Sequence, residues 1–298
     1  MRSRRLIGGG ALVACLVAGP AVGCGSDAAP AADTAPSTST TAPSSTTEAT
    51  TTTTTAPPTT TTTAPPPPRE VTLAFAGDLL PHLPIDRVAA ADGRASGAAY
   101  DFAPMLAPLR PVLDDVDVAI CHLEVPVAPE GTEPTGYPSF GAPGELVDAA
   151  AAAGYDGCST ASNHSLDRGR AGIEATLARL DAVGLGHVGT ARSGEERLRP
   201  ATYEVDGTTV AHLSYAYGFN GYRIPADAPW AANPIDVDRI HLDATAARQS
   251  GADVVVVSLH WGDEYRSQPS AYQRDVADRL LPWPDIDLVV GHHAHVVQ

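Results

Sequence analysis

Five short apolar runs in this chain each end in side chains able to bind a metal. Residues 71–76 run into Gly77-Asp78, and residues 116–121 into His122-Leu123-Glu124. Residues 155–160 lead to Ser162-Asn163-His164, residues 254–259 to His260-Trp261-Gly262, and residues 288–290 to Gly291-His292-His293-Ala294-His295. Runs of Val, Ile and Leu without polar alternation read as strands of a sheet covered on both faces. Residues 145–153, 170–182, 237–250 and 271–281 are rich in Ala and Leu with charges on one side, which predicts covering helices. Strand alternating with helix predicts an α/β fold. Residues 201–205 and 209–217 flank Asp206-Gly207, a hairpin signal, so the sheets are expected to be mixed.

In open α/β sheets, ligands gather beyond the carboxyl ends of the strands. All five polar clusters stand after their runs, so five loops are expected to converge on one rim. Each cluster alone reads as well as a turn residue or a hydrogen-bonded core histidine. Their agreement in place and chemistry points to a site. Asp, Glu, Asn and neutral imidazole suit Mn, Fe or Zn, and a carboxylate can bridge two such cations for hydrolysis. In an extended segment residues i and i+2 share a face, so His293 and His295 are expected to address the site together while His292 points away. Imidazole ligates only when neutral, so cation release is expected below about pH 6.

The rest of the composition narrows the choices. The chain has 298 residues and a net charge of −16. All its basic residues are Arg; with no Lys, P-loop and Schiff-base chemistry are excluded. The acidic balance argues against coating nucleic acid. Arg2, Arg4 and Arg5 precede an uncharged apolar stretch ending in Ala21-Val22-Gly23-Cys24, a signal-peptide pattern over residues 1–24 that resembles a lipobox. Cys24 would then be the lipidated first residue of a membrane-anchored extracytoplasmic protein; plain secretion is the alternative. From 25 to 68, 40 of 44 residues are Ala, Pro, Ser or Thr, a disordered tether with almost nothing to bury. The folded part is then 69–298.

Taken together, Phe75-Ala76-Gly77-Asp78, His122-Leu123-Glu124, residues 161–169 (ASNHSLDRG), residues 260–265 (HWGDEY) and residues 291–298 (GHHAHVVQ) resemble the CapA family of capsule-synthesis proteins, linked to poly-γ-glutamate. That family is similar in fold to calcineurin-like metallophosphatases. The resemblance implies a layered α/β sandwich with mixed sheets, incomplete at the C-terminus because the family continues past the last motif. It implies a divalent metal centre, dinuclear, with Asp78, Glu124, Asn163, His260, His293 and His295 as ligands and His164 as catalytic acid or substrate orienter. Glu124 stands where metallophosphatases place a bridging Asp. Leu80 fills their first His position, with His82 as a substitute. The implied partners are an anionic polymer or a phosphoester, and capsule synthesis or export machinery. The implied role is synthesis, export or anchoring of the polymer; a metal-dependent hydrolase and a non-catalytic binding module are the alternatives.

Several neighbours have two readings. Glu264 and Tyr265 orient an imidazole or sit on a solvated loop. Arg168, Arg170 and Arg266 pair with an anionic substrate or with surface acids. Trp261 stacks on a ligand or belongs to the core or rim. Cys121 and Cys158 read first as two buried thiols, with a disulfide open if their strands are neighbours.

Overall fold

Each of the five apolar runs becomes a strand in a parallel pair. The computed structural model describes residues 70–298; the signal segment, Cys24 and the tether lie outside the described residues. One sheet has the order β1 (Leu73–Leu79), β2 (Val118–Leu123), β3 (Gly157–Ser159), β4 (Gly186–Val188), all parallel. The second has the order β5 (Ala201–Val205), β6 (Thr208–Ala216), β7 (Val254–His260), β8 (Leu288–His292), antiparallel only between β5 and β6. The expected layered α/β fold is therefore present, with the expected mixing in the second sheet and a first sheet that is parallel throughout. The β5–β6 turn is the predicted one: Asp206 and Gly207 both hold positive φ (47° and 78°), as a tight hairpin turn demands.

Helices cover the outer faces. In the first half these are α1 (Leu83–Ser96), the short turns α2 (Ala103–Leu106) and α3 (Arg110–Leu113), α4 (Glu145–Ala153) and α5 (Gly169–Val183). Short α6 (Gly194–Arg197), then α7 (Val237–Gln249) and α8 (Ala271–Leu280), belong to the second half. Helix ends follow local chemistry. Gly154 closes α4 at φ 109°, and Ser270 with Gln273 forms a capping box at the start of α8. Among the described residues no helix is long and apolar enough to cross a membrane.

Alternation along the strands sorts the core into three layers. Ala119, Cys121 and Leu123 of β2 face α4 and α5, packing with Leu146, Ile173 and Leu177. Val255, Val257 and Leu259 of β7 face α7 and α8 through Ile240, Val276 and Leu280. The alternate residues Val118, Ile120, Val210 and Val256 meet between the sheets. The same alternation carries His122, His260 and His292 into that middle layer at its carboxyl end.

The β2–β3 register sets Cys121 opposite Cys158, with Cα atoms 4.4 Å apart, and the two form a disulfide. This corrects the reading of two free buried thiols. Sequence alone does not show that these two strands are adjacent.

Candidate metal centre

Asp78 reaches the centre through an irregularity in β1. Leu73 and Phe75 pair with Val118 and Ile120, but the next pair is Asp78 with His122, so β1 spends three residues where β2 spends two. The extra residue is a bulge, and the strand changes facing beyond it. Without it, Asp78 would sit on the face opposite Phe75; with it, Asp78 turns toward His122.

The remaining groups come from other strand ends. His122 Nε2 lies 2.9 Å from His260 Nδ1, and His260 Nε2 lies 2.9 Å from Asn163 Oδ1. His122 Nδ1 is held by Ser159 Oγ at 2.7 Å. His295 Nδ1 contacts Asp78 Oδ2 at 2.8 Å, and its Nε2 is 4.0 Å from Glu124 Oε1. His260 Nε2 is 3.9 Å from the same Glu124 oxygen. Ligand-capable atoms of Asp78, His122, Glu124 and His260 lie within 4.8 Å of one another, as do those of Glu124, His293 and His295. Glu124 belongs to both groups. All six ligand residues expected from the sequence are thus brought to one place.

Two further histidines join them that sequence reasoning does not single out as ligands. His122 reads only as a flank of Glu124, although a residue at i−2 of a strand-end ligand shares its face. His292 is expected to point away, and the structure corrects this. The alternation argument fails because β8 ends at His292, and His293 and His295 take positive φ of 89° and 52°. His292 is buried, stacks on His122 with ring centroids 4.2 Å apart, and places Nδ1 3.9 Å from Asp78.

These side chains fit a divalent cation. Asp78 Oδ1, Glu124 Oε2, His292 Nε2 and His293 Nδ1 are buried without a hydrogen-bond partner, a large cost for polar atoms unless something else binds them. Burial holds His122 and His260 well below the usual imidazole range, so both present neutral lone pairs. Burial also lowers His292 to about 4 and lowers His293. Burial, then the nearby Asp78 charge, raises Glu124 to about 8. His295 is raised by its hydrogen bond to Asp78. The lowered imidazoles and raised carboxyl reflect a desolvated cluster that favours the uncharged forms until a cation offsets it.

His164 sits beside the cluster. Its Nδ1 is 2.7 Å from Asp167 Oδ2, which also accepts the Phe140 backbone N–H at 2.7 Å. That leaves Nε2 as the atom able to exchange a proton. Asp167 has no mark in the sequence beyond its place in the ASNHSLDRG segment. The Ser162-Asn163-His164-Ser165 turn is held by Ser162 and Ser165 hydroxyls bonded to backbone within the turn. His82 packs against Phe140 instead of joining the cluster, and Leu80 is partly buried in the core under the helices.

The outlying candidates divide. Arg168 is committed to the loop after β2, donating to Thr135, Thr132 and the Glu133 carbonyl. Arg170 pairs with Glu174 and Asp227. Arg266 is exposed. Glu264 is exposed but close enough for its charge to oppose the lowering of His293 and add to the raising of His295, and Tyr265, at φ 58°, lies with its ring 5.8 Å from that of His295. Trp261 is buried in the core under α7 and α8. A cleft of about 770 Å³ opens onto Asp78, His292, His293 and His295.

The profile of the bacterial capsule synthesis protein family PGA_cap covers residues 72–298. This chain belongs to that family. Two curated relatives agree. The PGA biosynthesis protein CapA of Bacillus subtilis is 32% identical over 141 residues, covering 47% of this chain and 36% of the relative. The capsule biosynthesis protein CapA of Bacillus anthracis is 29% identical over 157 residues, covering 52% and 38%. The matches thus span little more than a third of either relative. Among solved structures, the Haemophilus influenzae NAD nucleotidase NadN is similar over 65% of this chain and 36% of its own, at 16% identity and a TM-score of 0.41. Within the PGA_cap family, this member holds a buried carboxylate–imidazole cluster of the kind that binds metal.

Proposed function

We propose that this PGA_cap protein acts outside the cytoplasm, tethered through Cys24, in the synthesis, export or anchoring of an anionic capsule polymer such as poly-γ-glutamate. The observation that carries the reading is the convergence of Asp78, His122, Glu124, Asn163, His260, His293 and His295 on one buried cluster in a chain of this family. The names of both curated relatives support the polymer, and the Cys121–Cys158 disulfide supports an oxidising compartment. The acidic chain repels a polyanion at long range, so contact with polymer is local, at the centre.

In this reading the residues that would hold divalent cation are Asp78, His122, Glu124 and His260 in one group and Glu124, His293 and His295 in the other. Cation bound there supplies Lewis acidity toward an anionic ester, phosphoester or amide oxygen. Asn163 offers its carboxamide oxygen to the centre. His164, with Nδ1–H held by Asp167, gives or takes a proton at Nε2. That dyad favours a second reading beside polymer handling, a metal-dependent hydrolase of phosphoesters or related anionic esters and amides.

Elemental analysis of the full chain, purified after supply of Mn, Fe and Zn, tests the centre, and a screen of phosphoesters and γ-glutamyl polymers tests the reaction. The expected result is bound cation, lost in Asp78→Ala together with any activity. Cation-free protein under all three supplies would overturn the metal reading. Unchanged surface polymer after deletion of the gene would overturn the capsule role.

A further inference from the structure

Two imidazoles of the cluster belong to one line of hydrogen bonds that starts between β2 and β3. Ser159 Oγ lies 2.7 Å from His122 Nδ1, His122 Nε2 lies 2.9 Å from His260 Nδ1, and His260 Nε2 lies 2.9 Å from Asn163 Oδ1. At the far end the Ser159 hydroxyl reaches the Cys121 carbonyl at 3.4 Å. The β2–β3 register builds the start of the line, because it sets His122 opposite Ser159, one residue beyond the Cys121–Cys158 disulfide. Ser159, His122 and His260 are fully buried. His292 stacks on His122 with ring centroids 4.2 Å apart, so that ring is held on its face as well as its edges.

The hydrogens in such a line all point one way. Both imidazoles are neutral, so each ring has one N–H and one lone pair. In one direction the Ser159 hydroxyl donates to the Cys121 carbonyl, His122 Nδ1–H donates to Ser159 Oγ, and His260 Nδ1–H donates to His122 Nε2. His260 Nε2 is then a bare lone pair beside Asn163 Oδ1 and 3.9 Å from Glu124 Oε1, open to a cation. In the other direction Ser159 donates to His122 Nδ1, His122 Nε2–H to His260 Nδ1, and His260 Nε2–H to Asn163 Oδ1. A hydrogen then covers both ligand atoms. The two directions contain the same hydrogens, and only the first admits a cation at His260. In that direction the His122 Nε2 lone pair is taken by His260 at 2.9 Å, while Asp78 Oδ1 stands 3.8 Å away.

We propose that Ser159 and His122 are positioning residues of the centre: Ser159 holds His122, and His122 holds the His260 Nδ1–H, which turns the His260 Nε2 lone pair to the cation. The inference rests on the reading that the cluster binds divalent cation, and it refines that reading. Within the first group His122 secures the cation through His260 and does not touch it. Metal-bound imidazoles generally donate their second ring N–H to a fixed acceptor, and loss of such partners typically changes affinity by about 10–100-fold.

The test loads the full chain, with isotope-labelled histidine nitrogens, with a spin-active isotope of Cd(II). Nitrogen NMR then shows which ring nitrogen carries hydrogen and, by scalar coupling, which one is bonded to cadmium. The expected spectrum has cadmium coupling at His260 Nε2, hydrogen on Nδ1 of both His260 and His122, and no coupling at His122. Ser159→Ala removes the acceptor of the His122 Nδ1–H and leaves it buried and unpaired in the loaded protein, which costs more than an unpaired lone pair in the cation-free one. The Kd for Cd(II) by titration calorimetry is expected to weaken by about 10–100-fold in this variant. Cadmium coupling at His122 would overturn the proposal and leave the metal reading standing, and so would wild-type affinity in Ser159→Ala. The wild-type spectrum needs no variant, so it decides the assignment even where Ser159→Ala unfolds. A wild-type chain that binds no Cd(II) would overturn the metal reading and this inference with it.

Discussion

The layer between the two sheets has two ends made from the same strands, and they obey opposite rules. At the amino end Val118, Ile120, Val210 and Val256 pack as an apolar seam. At the carboxyl end the same faces present His122, His260 and His292, with His212 and Ser258 hydrogen-bonded behind them at 2.8 Å. The apolar end gains stability from burial itself. The polar end is equally buried but keeps unpartnered oxygen and nitrogen atoms. A fold tolerates such an end where something binds there, and the apolar end supports it. Burial alone therefore does not mark a core: what the buried atoms still lack decides whether a region holds the fold or serves a ligand.

Four measurements put that contrast at risk. The largest effect belongs to the apolar end. Ile120→Ala should lower the unfolding free energy by about 2–5 kcal/mol in denaturant titrations while leaving cation affinity within about twofold. A matching loss of affinity would mean the two ends are not separable.

Glu124→Gln should do the reverse. Cation affinity should fall by more than about 100-fold, or roughly 2.7 kcal/mol. Below the ordinary carboxyl range, where Glu124 is protonated folded and unfolded alike, unfolding of the cation-free variant should stay within about 0.5 kcal/mol of wild type; at pH 7 the variant should be the more stable, because folded wild type keeps a proton that its unfolded chain releases. A group whose pKa is raised on folding contributes stability below its unfolded value and loses it as pH rises through the folded one. Cation-free wild type should therefore weaken as pH rises toward and through about 8, and the Gln variant should not.

Loading the wild-type centre to about 100 times its Kd should stabilise the fold by about 2.7 kcal/mol, read as a higher melting temperature that chelator reverses. No shift at saturation would mean that the unfolded chain binds the cation as well as the native centre does.

The smallest effect is the pH slope of binding. Below about pH 8 a cation must displace the Glu124 proton, so affinity should rise by up to about tenfold per pH unit from 6 to 8 and then level. Calorimetry in buffers of different ionisation enthalpy would count the protons released. This revises the expectation of cation release at about pH 6 from ordinary imidazoles. Burial keeps His122 and His260 neutral well below that pH, so the slope comes from the Glu124 carboxyl, steepened by His295, which its hydrogen bond to Asp78 raises. For His292 and His212, lowered to about 4 and about 3, the sign is the opposite of that for Glu124. Their contribution to stability is present above about pH 6.5 and is lost as pH falls through those lower values.

Local rules made much of this protein legible before any coordinates. The five runs became strands because unbroken Val, Ile and Leu segments demand cover on both faces, and Asp206-Gly207 turned as its backbone freedom requires. The placement of polar clusters after the runs put Asp78, Glu124, Asn163, His260, His293 and His295 on one rim. Other features depended on contacts between distant segments. Facing of Asp78 rests on a one-residue irregularity against β2, and Cys121 meets Cys158 only through the β2–β3 register. His292 turns inward by the alternation of β8, and His293 and His295 join it only because the strand ends there and their backbone takes positive φ. Sequence period specifies the face a residue takes within one element. Which faces meet, and which polar atoms are left without partners when they do, is fixed only by packing between elements, and in this protein that packing builds the centre.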